Sequence, residues 1–277
     1  MMNRALLFAA LLFFSSISSA MLSAQCGDIR KQVHVSAVYP TADTLPENLL
    51  RFYIYFNHAM RTENTHSHIY LTDEYGRRLD GVFLENRFSL WSPDRTRLTL
   101  LFDPGRVKTG LVAHNTLGRA LEAGKTYNLV IDAGALNLTN CSQKYTKTFK
   151  ASQATYSKPT ISDWVVNQPL ANSKLPLMID FKSPLDHTSL AFRIRVKNRD
   201  GKTLAGSIEL AQQEKRWVFT PKQPWHPEES YILLIDPILE DIAGNRITGL
   251  FDQPDLIESA KQGKSHLKIP IALSDEP

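Results

Sequence analysis

His58, His66 and His68 lie within eleven residues of one another. On a strand, His66 and His68 would face the same side, with His58 approaching from a neighbouring turn. Three imidazoles on one side are one way to hold a catalytic zinc. The competing reading is a set of exposed histidines in a loop rich in Asn, Thr and Glu, with no identifiable carboxylate to orient the rings. Asp236, Glu240, Asp241 and Asn245 place four oxygen side chains in ten residues, a composition that suits calcium. It suits a turn better, because Asp and Asn accept backbone N–H groups, Gly244 supplies a positive φ, and no Asp-x-Asp-x-Asp-Gly spacing is present. Arg106 and Lys108, near Gly105 and Gly110, can bind an anion. The preferred alternative is structural, an Asp103–Arg106 pair fixing a long loop against the second half of the chain. Tyr53 and Tyr55 alternate with apolar neighbours beside Arg51. Facing outward, they can stack on sugars or form a protein interface, or they can pack against the rest of the chain. No Gly-x-Ser-x-Gly elbow, Walker loop or Gly-x-Gly-x-x-Gly stretch occurs, so no catalytic residue and no cofactor is assigned. A triad gathered in space would leave no such mark.

The chain that must position these residues has 277 residues, 43% hydrophobic and 22% charged. Those values are globular, and the length is comfortable for two sandwich domains. A formal charge of +4 is too dilute for a nucleic-acid-binding surface. The start reads as a basic Met1-Met-Asn-Arg4, an apolar Ala5 to Phe14 and a small-residue exit to Ala20, the pattern of a secretory signal over residues 1–24 with cleavage after Ala20 or Ala24. The apolar run is about half the roughly 20 residues that span a bilayer, so no membrane span is expected. Cys26 follows closely, but Gln25 precedes it, and the peptidase that processes lipoproteins needs a small residue there. Cys26 and Cys141, the two cysteines, are instead candidates for one disulfide, which export permits. Two unpaired thiols are the alternative.

Period-two alternation dominates the remainder. Phe52, Ile54 and Phe56 share one parity, as do Leu98, Leu100 and Phe102, Tyr127, Leu129 and Ile131, and Leu177, Ile179 and Phe181. Phe192, Ile194 and Val196 oppose Arg193, Arg195 and Lys197, and Trp217 with Phe219 and Tyr231 with Leu233 and Ile235 continue the series. Turn signals such as Asp73-Glu-Tyr-Gly76 and Asn198-Arg-Asp-Gly201 separate the runs. The pattern predicts an all-β chain of antiparallel sandwiches. Trp91 and Trp217 are expected in the cores, and Tyr127 and Tyr231 at matching places like the tyrosine corner of sandwich folds. The segment from Gly110 to Ala123 is the best candidate for a short helix or structured loop.

The runs also repeat in order. Leu49 to Phe56 is echoed by Leu175 to Phe181, Trp91 to Pro104 by Trp217 to Pro221, and Gly124 to Asp132 by Glu229 to Asp236. Two modules, residues 29–152 and 158–274, explain this better than one barrel, with the boundary in the polar, Pro-terminated stretch Ala151 to Pro159. The second copy ends in Tyr231 to Ile235 followed by Leu239-Glu-Asp-Ile-Ala-Gly-Asn245. This closing signature resembles the bacterial Ig-like domain of SbsA-type S-layer proteins. Phe56-Asn-His-Ala-Met60, Arg97 to Arg106, Pro184-Leu-Asp186 and Pro224-Trp225 are similar to exported proteins with two such modules and no characterised role. The first copy departs from the pattern at Asp132 to Asn140, which lacks the Ala-Gly-Asn turn.

The resemblance implies architecture rather than activity. The expectation is a non-enzymatic exported protein, periplasmic or at the cell surface, whose partner is an envelope protein or glycan. A glycan- or cell-wall-binding module using Tyr53 and Tyr55 is one alternative. A metal-binding protein or metallohydrolase using His58, His66 and His68 is the other.

Overall fold

Alternation becomes strand wherever one face has a core to meet. In β3 (Arg51–Phe56), Phe52, Ile54 and Phe56 are buried, and in β6 (Arg97–Leu101), Leu98 and Leu100 are buried. The two strands pair antiparallel with Phe52 opposite Leu100 and Ile54 opposite Leu98, so the apolar sets share one face. The computed structural model describes residues 32–84, 90–138, 144–252 and 265–275. The expected signal over residues 1–24 and both cysteines of the expected disulfide, Cys26 and Cys141, lie outside the described residues.

The first half adds β1 (Val35–Tyr39), β2 (Thr44–Pro46), β4 (Ile69–Asp73), β5 (Arg78–Leu79), β7 (Thr126–Ile131) and β8 (Tyr145–Ser152). One sheet has the order β1-β3-β6 and the facing one β2-β8-β7-β4-β5. All pairings in these sheets are antiparallel except β2 with β8. Between them lie single-turn helices α1 (Thr65–His68), α2 (Pro104–Val107) and α4 (Ala133–Leu136), and the six-residue α3 (Val112–Leu117) in the segment expected to hold a short helix.

The second half contains β9 (Val165–Asn167), β10 (Leu177–Asp180), α5 (His187–Arg193), β11 (Ile194–Asn198), β12 (Gly206–Ala211), β13 (Arg216–Pro221), β14 (Tyr231–Ile235) and β15 (Leu267–Ile271). Its sheets run β12-β13-β10-β9 and β11-β14-β15. The wiring repeats the first half. β9, β10 and β13 stand where β1, β3 and β6 stand, and β11, β14 and β15 where β4, β7 and β8 stand. A short helix leads directly into the matching strand of the second sheet in both, α1 into β4 and α5 into β11. The chain is all-β, built of two tandem antiparallel sandwiches.

Two hydrophobic cores result. One gathers Phe52, Ile54, Leu71, Leu100, Phe102, Leu129 and Phe149; the other gathers Leu177, Ile179, Ile194, Trp217, Trp225 and Leu233. The tyrosine corner occurs twice. Tyr127 Oη accepts the backbone N–H of Glu122 at 2.9 Å, and Tyr231 Oη accepts that of His226 at 3.0 Å, each five residues upstream. Trp217 is fully buried, while Trp91 is half-buried against the first core. One parity expectation is corrected. Phe192 is 59% exposed, because α5 runs to Arg193 and strand alternation begins only at Ile194.

Candidate functional site at the junction of the sandwiches

Among the described residues, buried polar groups such as Asp186, Glu214 and Glu240 gather where the sandwiches meet. On β3, the face opposite the first core is covered by the start of α5. Tyr53, expected to face outward, is only 4% exposed. Its hydroxyl donates to Asp186 Oδ1 and Oδ2 at 3.1 and 3.0 Å and accepts from Arg51 Nη1 at 3.3 Å. Arg51 Nη2 donates to Glu240 Oε1 at 2.7 Å. Tyr55 meets the edges of Tyr39 and His187, with centroids 5.6 and 5.9 Å away, and Tyr39 stacks on His187 at 3.5 Å. Both tyrosines expected to offer a binding platform are therefore engaged with residues far away in sequence. Asp186 earns its place locally as well, since its Oδ1 accepts the Ser189 N–H at 2.8 Å and caps α5.

A second set of contacts comes from the β12–β13 hairpin. Gln212, Gln213 and Glu214 all have left-handed backbone, with φ of 53°, 58° and 60°. Non-glycine residues hold such a conformation at a cost of order 1 kcal/mol each, so the surroundings must hold it in place. Here Glu214, 3% exposed, accepts the Thr41 N–H and hydroxyl, both at 2.9 Å. Lys147 reaches from β8 to donate to the Thr41 and Ala42 carbonyls, both at 3.0 Å.

The third set is apolar and backbone. Leu50 N–H donates to the Ile242 carbonyl at 3.1 Å, and Ile242 belongs to the first core with Phe251 packed against it. Burying one isoleucine contributes roughly 2 kcal/mol. The connecting stretch is held from both sides: Asn48 exchanges two hydrogen bonds with Thr155, and Asn245 Nδ2 donates to the Thr155 carbonyl at 3.0 Å.

Charge is divided across this junction. The second sandwich supplies the carboxylates Asp186, Glu214 and Glu240, and the first supplies the donors Arg51, Tyr53 and Thr41, with Lys147 bracing the Thr41 and Ala42 carbonyls from its own side. Burial pushes the Asp186 and Glu214 carboxyls up despite these donors and raises the Tyr53 phenol, with the Asp186 charge adding to it. Burial also lowers Lys147 and takes His187 down to about 4, with help from Arg97. Arg51 is held above its ordinary value, because Tyr53, Asp186 and Glu240 outweigh its burial.

The other expected residues fall elsewhere. Arg106 uses Nε, Nη1 and Nη2 on the carbonyls of Gly118, Gly81 and Arg119 at 2.7, 3.2 and 3.0 Å, tying the loop to itself. The expected Asp103–Arg106 side-chain pair is replaced by a helix cap, in which Asp103 accepts the Gly105 N–H at 2.8 Å. Lys108 lies 4.3 Å over the Phe251 ring, and Thr109 donates twice to Asp252 at 2.9 and 2.8 Å. The loop is thus held against the second half, through neighbours of Arg106. His66 and His68 sit on α1 rather than a strand, and at 100° per residue positions two apart diverge by about 200°. Among the described residues no group of three or more His, Cys, Asp or Glu is placed to hold a metal, so the alternative built on His58, His66 and His68 finds no support there. The oxygen cluster is a turn: Asp241 Oδ1 accepts from Ala243 and Asn245 at 2.9 and 2.8 Å, while Asp236 pairs with Arg193 at 2.8 Å. Burial takes the Asp241 carboxyl up to about 6.

No protein-family model matches the chain, and no curated protein matches it. Among solved structures, a biofilm-associated protein BSP domain is similar at 9% identity and TM-score 0.25, over 86% of this chain and 30% of that one. The S-layer protein rSbsC is similar at 11% and 0.28, over 94% and 27%. Escherichia coli alpha-2-macroglobulin, domains MG0-NIE-MG1, is similar at 12% and 0.28, over 74% and 66%. The chain thus spans under a third of the first two structures, and likenesses of this size say nothing about activity. No helix among the described residues is long and apolar enough to cross a membrane.

Proposed function

We propose that this is a non-enzymatic exported protein whose two Ig-like modules, residues 29–152 and 158–274, act as one rigid structural or binding element at the cell envelope. The observation that carries the reading is the junction. Arg51, Tyr53 and Thr41 meet Glu240, Asp186 and Glu214 there, and Ile242 enters the first core. Flexible tandem modules meet through small, wet contacts, whereas this contact buries charged groups that only fixed geometry satisfies. The polar groups best suited to chemistry are consumed in holding it. Export is supported by the basic, apolar and small-residue order of the first 24 residues, and the SbsA-type resemblance of the second copy fits an envelope role.

Nuclear relaxation of the mature protein tests this. A rigid element gives both sandwiches one rotational correlation time. Separate, shorter times for the two would overturn it. Crosslinking in cells followed by mass spectrometry identifies the envelope component it holds.

A further inference from the structure

We propose that the pocket where the connecting stretch lies against the second sandwich binds a single acidic sugar unit, with Trp164 and Phe181 as its apolar wall and Lys158 and Lys182 meeting the sugar carboxylate. The pocket has a volume of about 160 Å³, below the roughly 300 Å³ at which drug-sized sites begin, so it takes one ring rather than a chain. Trp164 and Phe181 meet edge to face, with centroids 5.0 Å apart and planes at 76°, forming an apolar corner for the C–H face of a pyranose. Such a face is apolar while the ring's hydroxyls point outward, so an aromatic wall with polar groups around it matches a sugar better than a plain hydrocarbon.

The polar groups have unused capacity. Among the described residues the Lys158 and Lys182 ammonium groups have no hydrogen-bond or ion-pair partner, and neither has the Asp163 carboxylate. Asp241 also lines the pocket. Its carboxylate accepts three hydrogen bonds, from Ala243 N–H at 2.9 Å, Asn245 N–H at 2.8 Å and Asn245 Nδ2 at 3.0 Å. A carboxylate has about four acceptor positions, which leaves one for a ligand hydroxyl. The two lysines call for an anion, and the two carboxylates for hydroxyl donors. A sugar acid carries both. The site adjoins the junction, because Asp241 also positions Asn245, which holds the Thr155 carbonyl.

The test titrates the full mature chain with glucuronate, glucose and acetate at matched ionic strength, following tryptophan fluorescence and the Trp164 indole N–H resonance. Saturable binding of glucuronate, with glucose and acetate at least tenfold weaker, is expected. Lys158→Gln with Lys182→Gln should weaken glucuronate at least tenfold while the amide spectrum stays folded, and Trp164→Phe should retain more affinity than Trp164→Ala. A glucuronate-terminated oligosaccharide that binds more tightly than free glucuronate identifies a chain end as the source; equal binding identifies the free sugar. Acetate binding as well as glucuronate would reduce the site to a carboxylate hole and overturn the assignment. So would no saturable response, or unchanged binding in the double lysine variant.

Discussion

The Tyr53 hydroxyl sits between the two oxygens of Asp186, 3.1 and 3.0 Å away, though the residues are 133 positions apart. It links the first sandwich to the N-cap of α5 in the second. Tyr53→Phe leaves a buried carboxylate short of a donor, and such losses cost about 1–3 kcal/mol. Asp186→Ala loses this bond and the cap, itself about 1 kcal/mol, whereas Asp186→Asn keeps acceptors for Tyr53 and Ser189 without a buried charge. Urea unfolding should therefore rank Asp186→Ala as the least stable, with Asp186→Asn closer to the parent. Equal midpoints for all three variants and the parent would show that the contact contributes nothing.

Acid should act on the junction in two opposed ways. Asp241, raised to about 6 by burial, is charged in both states at neutral pH, so its burial penalty is present there and fades as pH falls through 6 towards 3.8, where the folded state alone holds the proton. Asp186 and Glu214 are raised in the same direction. His187 is lowered from 6.5 to about 4 by burial. It stays neutral in the fold while the unfolded chain protonates, so its contribution is complete above 6.5 and lost as pH falls to 4. One pKa unit is worth about 1.4 kcal/mol, so the stability gap between the parent and His187→Gln should shrink by up to about 3 kcal/mol from pH 7 to pH 4. A gap independent of pH would contradict this.

Much of the strand pattern was legible, because a face that meets its own core leaves a period of two. Phe52, Ile54, Leu98, Leu100, Leu129 and Leu233 are all buried as alternation requires. Tyr53 shows where such reading stops. Its parity says outward, yet the surface it meets is made by residues 186 and 187, and no local period encodes a contact at that separation. Arg51 beside two tyrosines, matched by the acidic run at Glu240 and Asp241, was the available trace of it. The histidine constellation failed for a local reason: Asn64, with φ 54°, leads into the single turn α1, which separates side chains that a strand would align. Glu214 carried no signal, because three consecutive left-handed residues without glycine run against every turn preference.

The paired tyrosine corners offer a test of the duplicated architecture. Tyr127→Phe and Tyr231→Phe each remove one hydrogen bond, to Glu122 N–H and His226 N–H, from a buried ring, at about 1 kcal/mol apiece. The two share no partner and lie in separate cores, so the double variant should lose the sum within about 0.5 kcal/mol. A non-additivity beyond about 1 kcal/mol, measured by chemical denaturation, would mean that the cores are not energetically distinct.

Gly244 tests the apolar side of the junction. Its φ is +81°, and a β-carbon there would come within 2.6 Å of Leu50 Cδ2 and 3.3 Å of the Phe251 ring. Gly244→Ala thus meets two costs together: about 1 kcal/mol for a left-handed non-glycine residue, and a clash with a core-buried leucine of the other sandwich whose N–H bonds the Ile242 carbonyl. Overpacking of this kind costs about 1–3 kcal/mol. Leu50→Ala relieves the clash but leaves a void, so on its own it too destabilises. Combining the two should cost less than their sum, since the missing leucine makes room for the added methyl. Denaturation of the four-member cycle measures this coupling directly. Strict additivity would show that the Leu50–Gly244 contact does not hold the sandwiches together.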